Sequence, residues 1–109
     1  MRFFRSERVG KLIRAEFSKI IIREVEFPDA LVTITAVTVD KKLERAKVGV
    51  SAIPSSAGDA VFAELQKRVG YLQYLLAKKI NIKPMPRISF YIDHGVENAA
   101  AVEKALLKK

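Results

Sequence analysis

Apolar residues recur near the start of the chain at Val9, Leu12, Ile13, Phe17, Ile20 and Ile21, at spacings of three and four. That is one stripe of an amphipathic helix. Ser6 can cap its start, with Glu7 at its positive end. The pattern runs to about Val25 and stops before Pro28, which has no N–H for the ladder and disfavours helix just before itself. The following run Leu31–Val39 is rich in β-branched residues and reads as a strand. Val32, Ile34 and Ala36 share one face, but the parity then passes to Val37 and Val39, so a bulge or sharp twist is expected near Ala36. After the polar link Asp40–Glu44, a second strand alternates Ala46, Val48, Val50 and Ala52 inward with Arg45, Lys47, Gly49 and Ser51 outward. Two strands joined by so short a link make an antiparallel hairpin.

Pro54 to Asp59 break the chain and start a second helix, with Phe62, Leu65, Val69, Leu72, Leu76 and Ile80 as its stripe. Gly70 sits inside this helix at a cost of about 1 kcal/mol against alanine. Beyond it Gln73 drifts toward the apolar side and Leu75 away from it, so a kink is expected there. Lys83-Pro84-Met85-Pro86 ends the helical run, and Ile88, Phe90 and Ile92 alternate with Arg87, Ser89 and Tyr91 in a third strand. Asp93-His94-Gly95 turns, and Val96 to Leu107 reads as a short closing helix. The expected order is α-β-β-α-(kink)-α-β-α, an α+β chain with helices banked on one face of a three-stranded sheet, a two-layer α/β sandwich.

Composition narrows the class. The 109 residues allow one domain, 1–109, with a real core. There is no cysteine and only one histidine, His94, which removes disulfides, thiolate nucleophiles, zinc fingers and His-built metal cages. No apolar run approaches the ~20 residues of a membrane span. The N-terminus turns polar after Phe3-Phe4, too soon for a signal peptide. A cytoplasmic location and no membrane partner are expected.

Charge adds the first positive clue: twenty Lys and Arg against twelve Asp and Glu give +8, and a domain this basic usually meets a polyanion. Residues 65–87 carry Lys67, Arg68, Lys78, Lys79, Lys83 and Arg87 with no acid. The start of the chain adds Arg5 and Arg8, and the hairpin tip adds Lys41, Lys42 and Arg45. On the second helix Lys67, Tyr71, Tyr74 and Lys78 lie opposite the apolar stripe at spacings of 4, 3 and 4. Cations there can neutralise phosphates, and tyrosines can stack on unpaired bases, unless the rings pack on neighbouring loops instead. A bare Gly70 would let a phosphate approach the backbone, unless it packs under another element. The cations around Gly70 are expected to form one continuous positive face.

Catalytic chemistry finds no support. Neither G-x-x-x-x-G-K-[ST] nor G-x-G-x-x-G occurs. His94 belongs to a turn, and Ser51, Ser55, Ser56 and Ser89 have no nucleophile-elbow context. Glu16 and Glu24 read as partners in i,i+4 pairs or as core-rim residues rather than an acid–base pair. No enzyme, cofactor, metal or small-molecule substrate is expected.

Four segments carry a family likeness: Arg8-Val9-x-x-x-Ile13-x-x-Glu16, Leu43-x-x-Ala46-Lys47-Val48-x-Val50-Ser51, Pro86-x-Ile88-x-Phe90-x-x-Asp93 and Val102-x-x-x-Leu106-Leu107. In this order they resemble ribosome-binding factor A, a bacterial small-subunit assembly factor. The resemblance implies a type II KH-like fold in which a helix kink carrying Ala-x-Gly replaces the Gly-x-x-Gly loop; here the matching residues are Arg68-Val69-Gly70. It also implies binding to free 30S subunits and 16S rRNA and help with late maturation, including 5′-end processing. The reading is a monomeric, non-enzymatic RNA-binding factor contacting rRNA through Arg5, Arg8, Lys41, Lys42, Arg45, Lys67, Arg68, Gly70, Tyr71, Tyr74, Lys78, Lys79, Lys83 and Arg87. The alternatives are a protein-interaction module and a general nucleic-acid-binding domain. A sequence-specific DNA binder is disfavoured because no turn-plus-recognition-helix pattern is evident.

Overall fold

The first helix, α1, spans Arg2–Glu24 in the computed structural model, which describes residues 2–94, with side chains from residue 5 onward. It starts one turn earlier than the sequence suggests. Ser6 therefore does not cap it; it lies inside the helix, 8% exposed. Nothing between Arg2 and Arg5 is a helix breaker, so the first turn extends back past the polar residue. Val9, Ile13, Phe17, Ile20, Ile21 and Val25 are buried, while Leu12, at the stripe's edge, is 40% exposed.

The first two strands, β1 (Leu31–Val39) and β2 (Arg45–Ile53), pair antiparallel from Leu31↔Ile53 to Val39↔Ala46. The register shifts between Ile34 and Ala36, so Thr35 is the extra residue of a bulge. This supplies the parity change that Val37 and Val39 require, but one residue earlier than expected, so Ala36 pairs with Gly49 on the open face and does not share the side of Val32 and Ile34. A 3-10 turn (Ser55–Ala57) leads into α2 (Gly58–Ile80), and β3 (Arg87–Ile92) then pairs parallel with β2, from Arg45↔Arg87 to Val50↔Ile92. A parallel neighbour needs a crossover, and α2 supplies it. The sheet order is β1-β2-β3. One antiparallel and one parallel pair, with two helices over one face, make the α+β arrangement expected of a type II KH-like chain.

α2 is one uninterrupted helix through Gly70, where the sequence leads one to expect two helices meeting at a kink. Glycine costs a helix about 1 kcal/mol and does not by itself break it. Leu65, Leu72 and Leu76 keep a single stripe fully buried on both sides of Gly70. The drift of Gln73 has another cause: its Oε1 accepts the backbone N–H of Ile88 at 2.9 Å, tying α2 to the start of β3. Asn81 closes the helix in the left-handed region (φ 47°, ψ 48°), its N–H reaching the Ala77 carbonyl.

The core lies between helices and sheet. Ala46, Val48 and Val50 of β2 are fully buried, and the rings of Phe17 and Phe90 stack with centroids 5.7 Å apart. Burying a large apolar side chain contributes about 1.5–3 kcal/mol. The expected closing helix, Val96 to Leu107, and Gly95 of the expected turn lie outside the described residues.

Candidate nucleic-acid interface

Strand directions sort the charges. β1 ends where β2 and β3 begin, so the hairpin tip, the close of α2 and the start of β3 share one end of the sheet. The Arg87 N–H donates to the Glu44 carbonyl at 2.9 Å there. The start of α1 is at this end too: the space a Cβ on Gly10 would occupy lies 3.2 Å from the Val37 carbonyl oxygen. Arg5, Arg8, Lys41, Lys42, Arg45, Lys83 and Arg87 therefore gather at one end, all exposed. The other end holds the close of α1, the start of β1, the start of α2 and the end of β3. It carries Glu24, Glu26, Asp29, Asp59 and Asp93.

The hairpin tip is built by its acid. Asp40 Oδ1 accepts the N–H groups of Glu44 (2.7 Å) and Arg45 (3.1 Å), and Leu43 turns with φ 59° to bury its side chain. The Arg45 N–H, first among several causes, holds the Asp40 carboxyl below the usual carboxylate range. Lys41 and Lys42 are left exposed on a fixed loop.

On α2, Lys67, Tyr71, Tyr74 and Lys78 form the exposed stripe that their spacing requires. Tyr71 is 54% and Tyr74 57% exposed, so neither ring is buried under a neighbouring loop. The Lys78 ammonium stands over the Tyr74 ring. Gly70 is exposed, and nothing lies within 4 Å of where its Cβ would be. It therefore packs under no described element, and its backbone is open to approach.

Two cations differ from expectation. Arg68 Nε donates to Glu64 Oε2 at 2.7 Å, so part of its charge and donor set is committed within the helix; the same bond holds the Glu64 carboxyl below its usual range. Arg87 alternates with the buried Ile88 and Phe90, so it projects from the opposite side of the sheet, beside Arg45. The single continuous face is thus corrected to two. One is helical, with Lys67, Tyr71, Tyr74, Lys78 and Lys79; the other is the open sheet face, with Arg45 and Arg87. They approach each other only at the basic end.

Sequence reasoning misses Lys19 and Arg23. With Glu16, Ile20, Leu75, Lys78 and Lys79 they line a groove of about 210 Å³ between the helices. In the sequence their charge is masked by Glu16 and Glu24, which pair with them at 3.6 Å and 3.1 Å. Glu16 and Glu24 are therefore ion-pair partners at the core rim, with the spacings i,i+3 and i,i+1 in place of the expected i,i+4. The i,i+3 spacing of Glu16 and Lys19 on α1 is the signal that could have found the first pair.

His94 lines a shallow depression with Ser55, Ser56 and Asp59. Ser55 opens a 3-10 turn rather than a strand-to-helix elbow. No group of three metal-ligating side chains occurs among the described residues, and no described helix is long and apolar enough to cross a membrane.

A mixed three-stranded sheet with two helices on one face and basic side chains on both exposed layers places the chain in the class of small KH-like α+β proteins. A crystal structure of ribosome-binding factor A from Thermus thermophilus has this fold, with a TM-score of 0.69 over 80% of this chain and 94% of that one at 20% identity. So does a Thermus thermophilus ribosome-binding factor A fitted into a cryo-electron microscopy map of a 30S complex, with TM-score 0.59, 24% identity and coverage of 73% and 90%. The sequence model of ribosome-binding factor A matches residues 5–106. The ribosome-binding factor A of Halothermothrix orenii is 34% identical over 111 residues, covering 100% of this chain and 90% of its own. That of Caldanaerobacter subterraneus is 33% identical over 106 residues, covering 94% and 87%. The chain belongs to the ribosome-binding factor A family.

Proposed function

We propose that this chain is a non-enzymatic assembly factor of the small ribosomal subunit. It binds free 30S particles through 16S rRNA and assists late maturation, including processing of the rRNA 5′ end. It acts in the cytoplasm as a monomer, with residues 1–109 working as one KH-like RNA-binding domain. A relative's fit into a map of its 30S complex supports the partner. The observation that carries the reading is the gathering of cations from four separate segments at one end of the sheet, continued along α2 by Lys78 and Lys79.

The mechanism follows from that surface. Arg5, Arg8, Lys41, Lys42, Arg45, Lys67, Lys78, Lys79, Lys83 and Arg87 hold phosphates, with Arg68 contributing the donors that Glu64 leaves it. Tyr71 and Tyr74 offer rings to unpaired bases, and Gly70 leaves the backbone accessible. Binding shifts rRNA between conformations only so far as the chain prefers one of them.

Co-sedimentation with immature 30S, mature 30S and 70S particles tests the reading. Binding to the free small subunit and exclusion from 70S are expected. With about six phosphate contacts, affinity should fall roughly a thousandfold between about 50 and 200 mM salt. A flat salt response would sink the mechanism.

A further inference from the structure

The sheet face turned away from the helices is uncovered by any described element, and its rows are ordered by chemistry. From the basic end the register gives Arg45 beside Arg87, then Thr38, Lys47 and Ser89, then Ala36, Gly49 and Tyr91. Tyr91 lies down across β2: a Cβ on Gly49 would meet its Oη at 2.6 Å and its Cζ at 2.7 Å. The ring therefore covers the glycine with one side and, at 39% exposure, turns the other outward. Beside it is a cleft of about 360 Å³ lined by Thr38, Lys47, Ser89, Phe90 and Tyr91. Asp93 Oδ2 accepts Thr35 Oγ1 at 2.8 Å, and that hydroxyl lies 2.9 Å from the same Cβ position on Gly49, so one carboxylate borders the Tyr91 end of the face, away from Arg45 and Arg87.

We propose that this face is a second RNA contact, specific for an unpaired strand, with Tyr91 as the stacking platform and Lys47, Arg45 and Arg87 holding its phosphates. The proposal rests on the reading of the chain as an RNA binder and adds a surface and a strand state to it. Charge complementarity selects the occupant: three cations and hydroxyl groups, with no acid of the described strands among them, suit a polyanion. The flat ring selects single strands, because only an unpaired base has a free face to stack. Arg45 and Lys47 project from the same side about 6.6 Å apart along β2, a separation suited to successive phosphates of an extended strand.

Fluorescence anisotropy with a labelled single-stranded oligouridylate and an RNA duplex of the same length tests this. Tyr91→Leu should weaken single-strand binding about tenfold, the effect of losing one stacked base, and change duplex binding less. Tyr91→Phe keeps the ring and should stay within about twofold of the unsubstituted protein, since the stacking face is unaltered. Unchanged single-strand affinity in Tyr91→Leu, while Lys78→Glu/Lys79→Glu loses binding, overturns the sheet-face contact and leaves the RNA reading intact. No binding by the unsubstituted protein overturns both. A photocrosslinking benzoylphenylalanine in place of Ser89, in the full chain bound to 30S subunits, needs no change to Tyr91. Its crosslink should fall on rRNA; one to a ribosomal protein or to the chain's own residues 95–109 overturns the proposal.

Discussion

The ammonium nitrogen of Lys78 lies 5.4 Å from the centre of the Tyr74 ring, on the side of α2 that faces away from the core. A cation over an exposed ring gains about 0.5–1 kcal/mol, enough to hold the two side chains as one charged and aromatic unit. Lys78→Glu/Lys79→Glu is expected to weaken RNA binding strongly and to lower the slope of log affinity against log salt by about one per lysine removed. An anisotropy titration over a salt series checks this, with circular dichroism showing that α2 is retained.

Gly70 and Gly49 should respond to alanine in opposite directions. At Gly70 a methyl meets nothing within 4 Å in a helix interior, so Gly70→Ala should stabilise by about 1 kcal/mol. For a domain of this size that raises the melting temperature by about 4–8 °C. If Gly70 admits a phosphate to the backbone, the same variant binds RNA more weakly while melting higher. Gly49→Ala drives a methyl into the Tyr91 ring and Thr35 Oγ1, and overpacking of this kind costs about 1–3 kcal/mol. Calorimetry on both variants separates them.

Phe17 is fully buried and stacked on Phe90, joining α1 to β3 across the core. Phe17→Ala should cost about 3–5 kcal/mol. Urea unfolding followed by far-ultraviolet circular dichroism should show a lower midpoint with the slope little changed.

Asp40 links pH to stability. Its carboxyl is held below its ordinary value of 3.8 in the folded chain, so folding favours the ionised form. That stabilisation is complete at neutral pH, above the unfolded value, and disappears as pH falls through the lower folded value. Glu64 acts with the same sign through Arg68. Asp40→Asn keeps an acceptor without the charge. Its melting temperature should lie below that of the unsubstituted protein at neutral pH, and the gap should close as pH drops below about 4.

Most of the architecture is readable in the sequence because its signals are local. The parity of Val37 and Val39 announces a bulge, which falls at Thr35 and moves Ala36 to the open face, and the β-branched runs and proline breaks place the strands. The division of α2 into two helices is misread because Gln73 looks like a phase error, when its partner, the Ile88 N–H, lies 15 residues away. The candidate site is legible as composition and not as shape. Counting charge along residues 65–87 finds the cations, but only strand parity in three dimensions sends Arg87 to the far face. Lys19 and Arg23 escape notice because acids interleave with them in sequence while α2 supplies their cationic neighbours in space.

An excess of carboxylates at one end of the strands, and of guanidinium and ammonium groups over Asp40 and Glu44 at the other, gives the described part of the chain a permanent electric moment along the strand direction. Near a polyanion such a body feels a torque as well as an attraction. It arrives with the hairpin leading, and Glu26, Asp29 and Asp59 are left pointing back toward solvent. Net charge governs how often encounters occur, while the moment decides how many begin in a productive orientation.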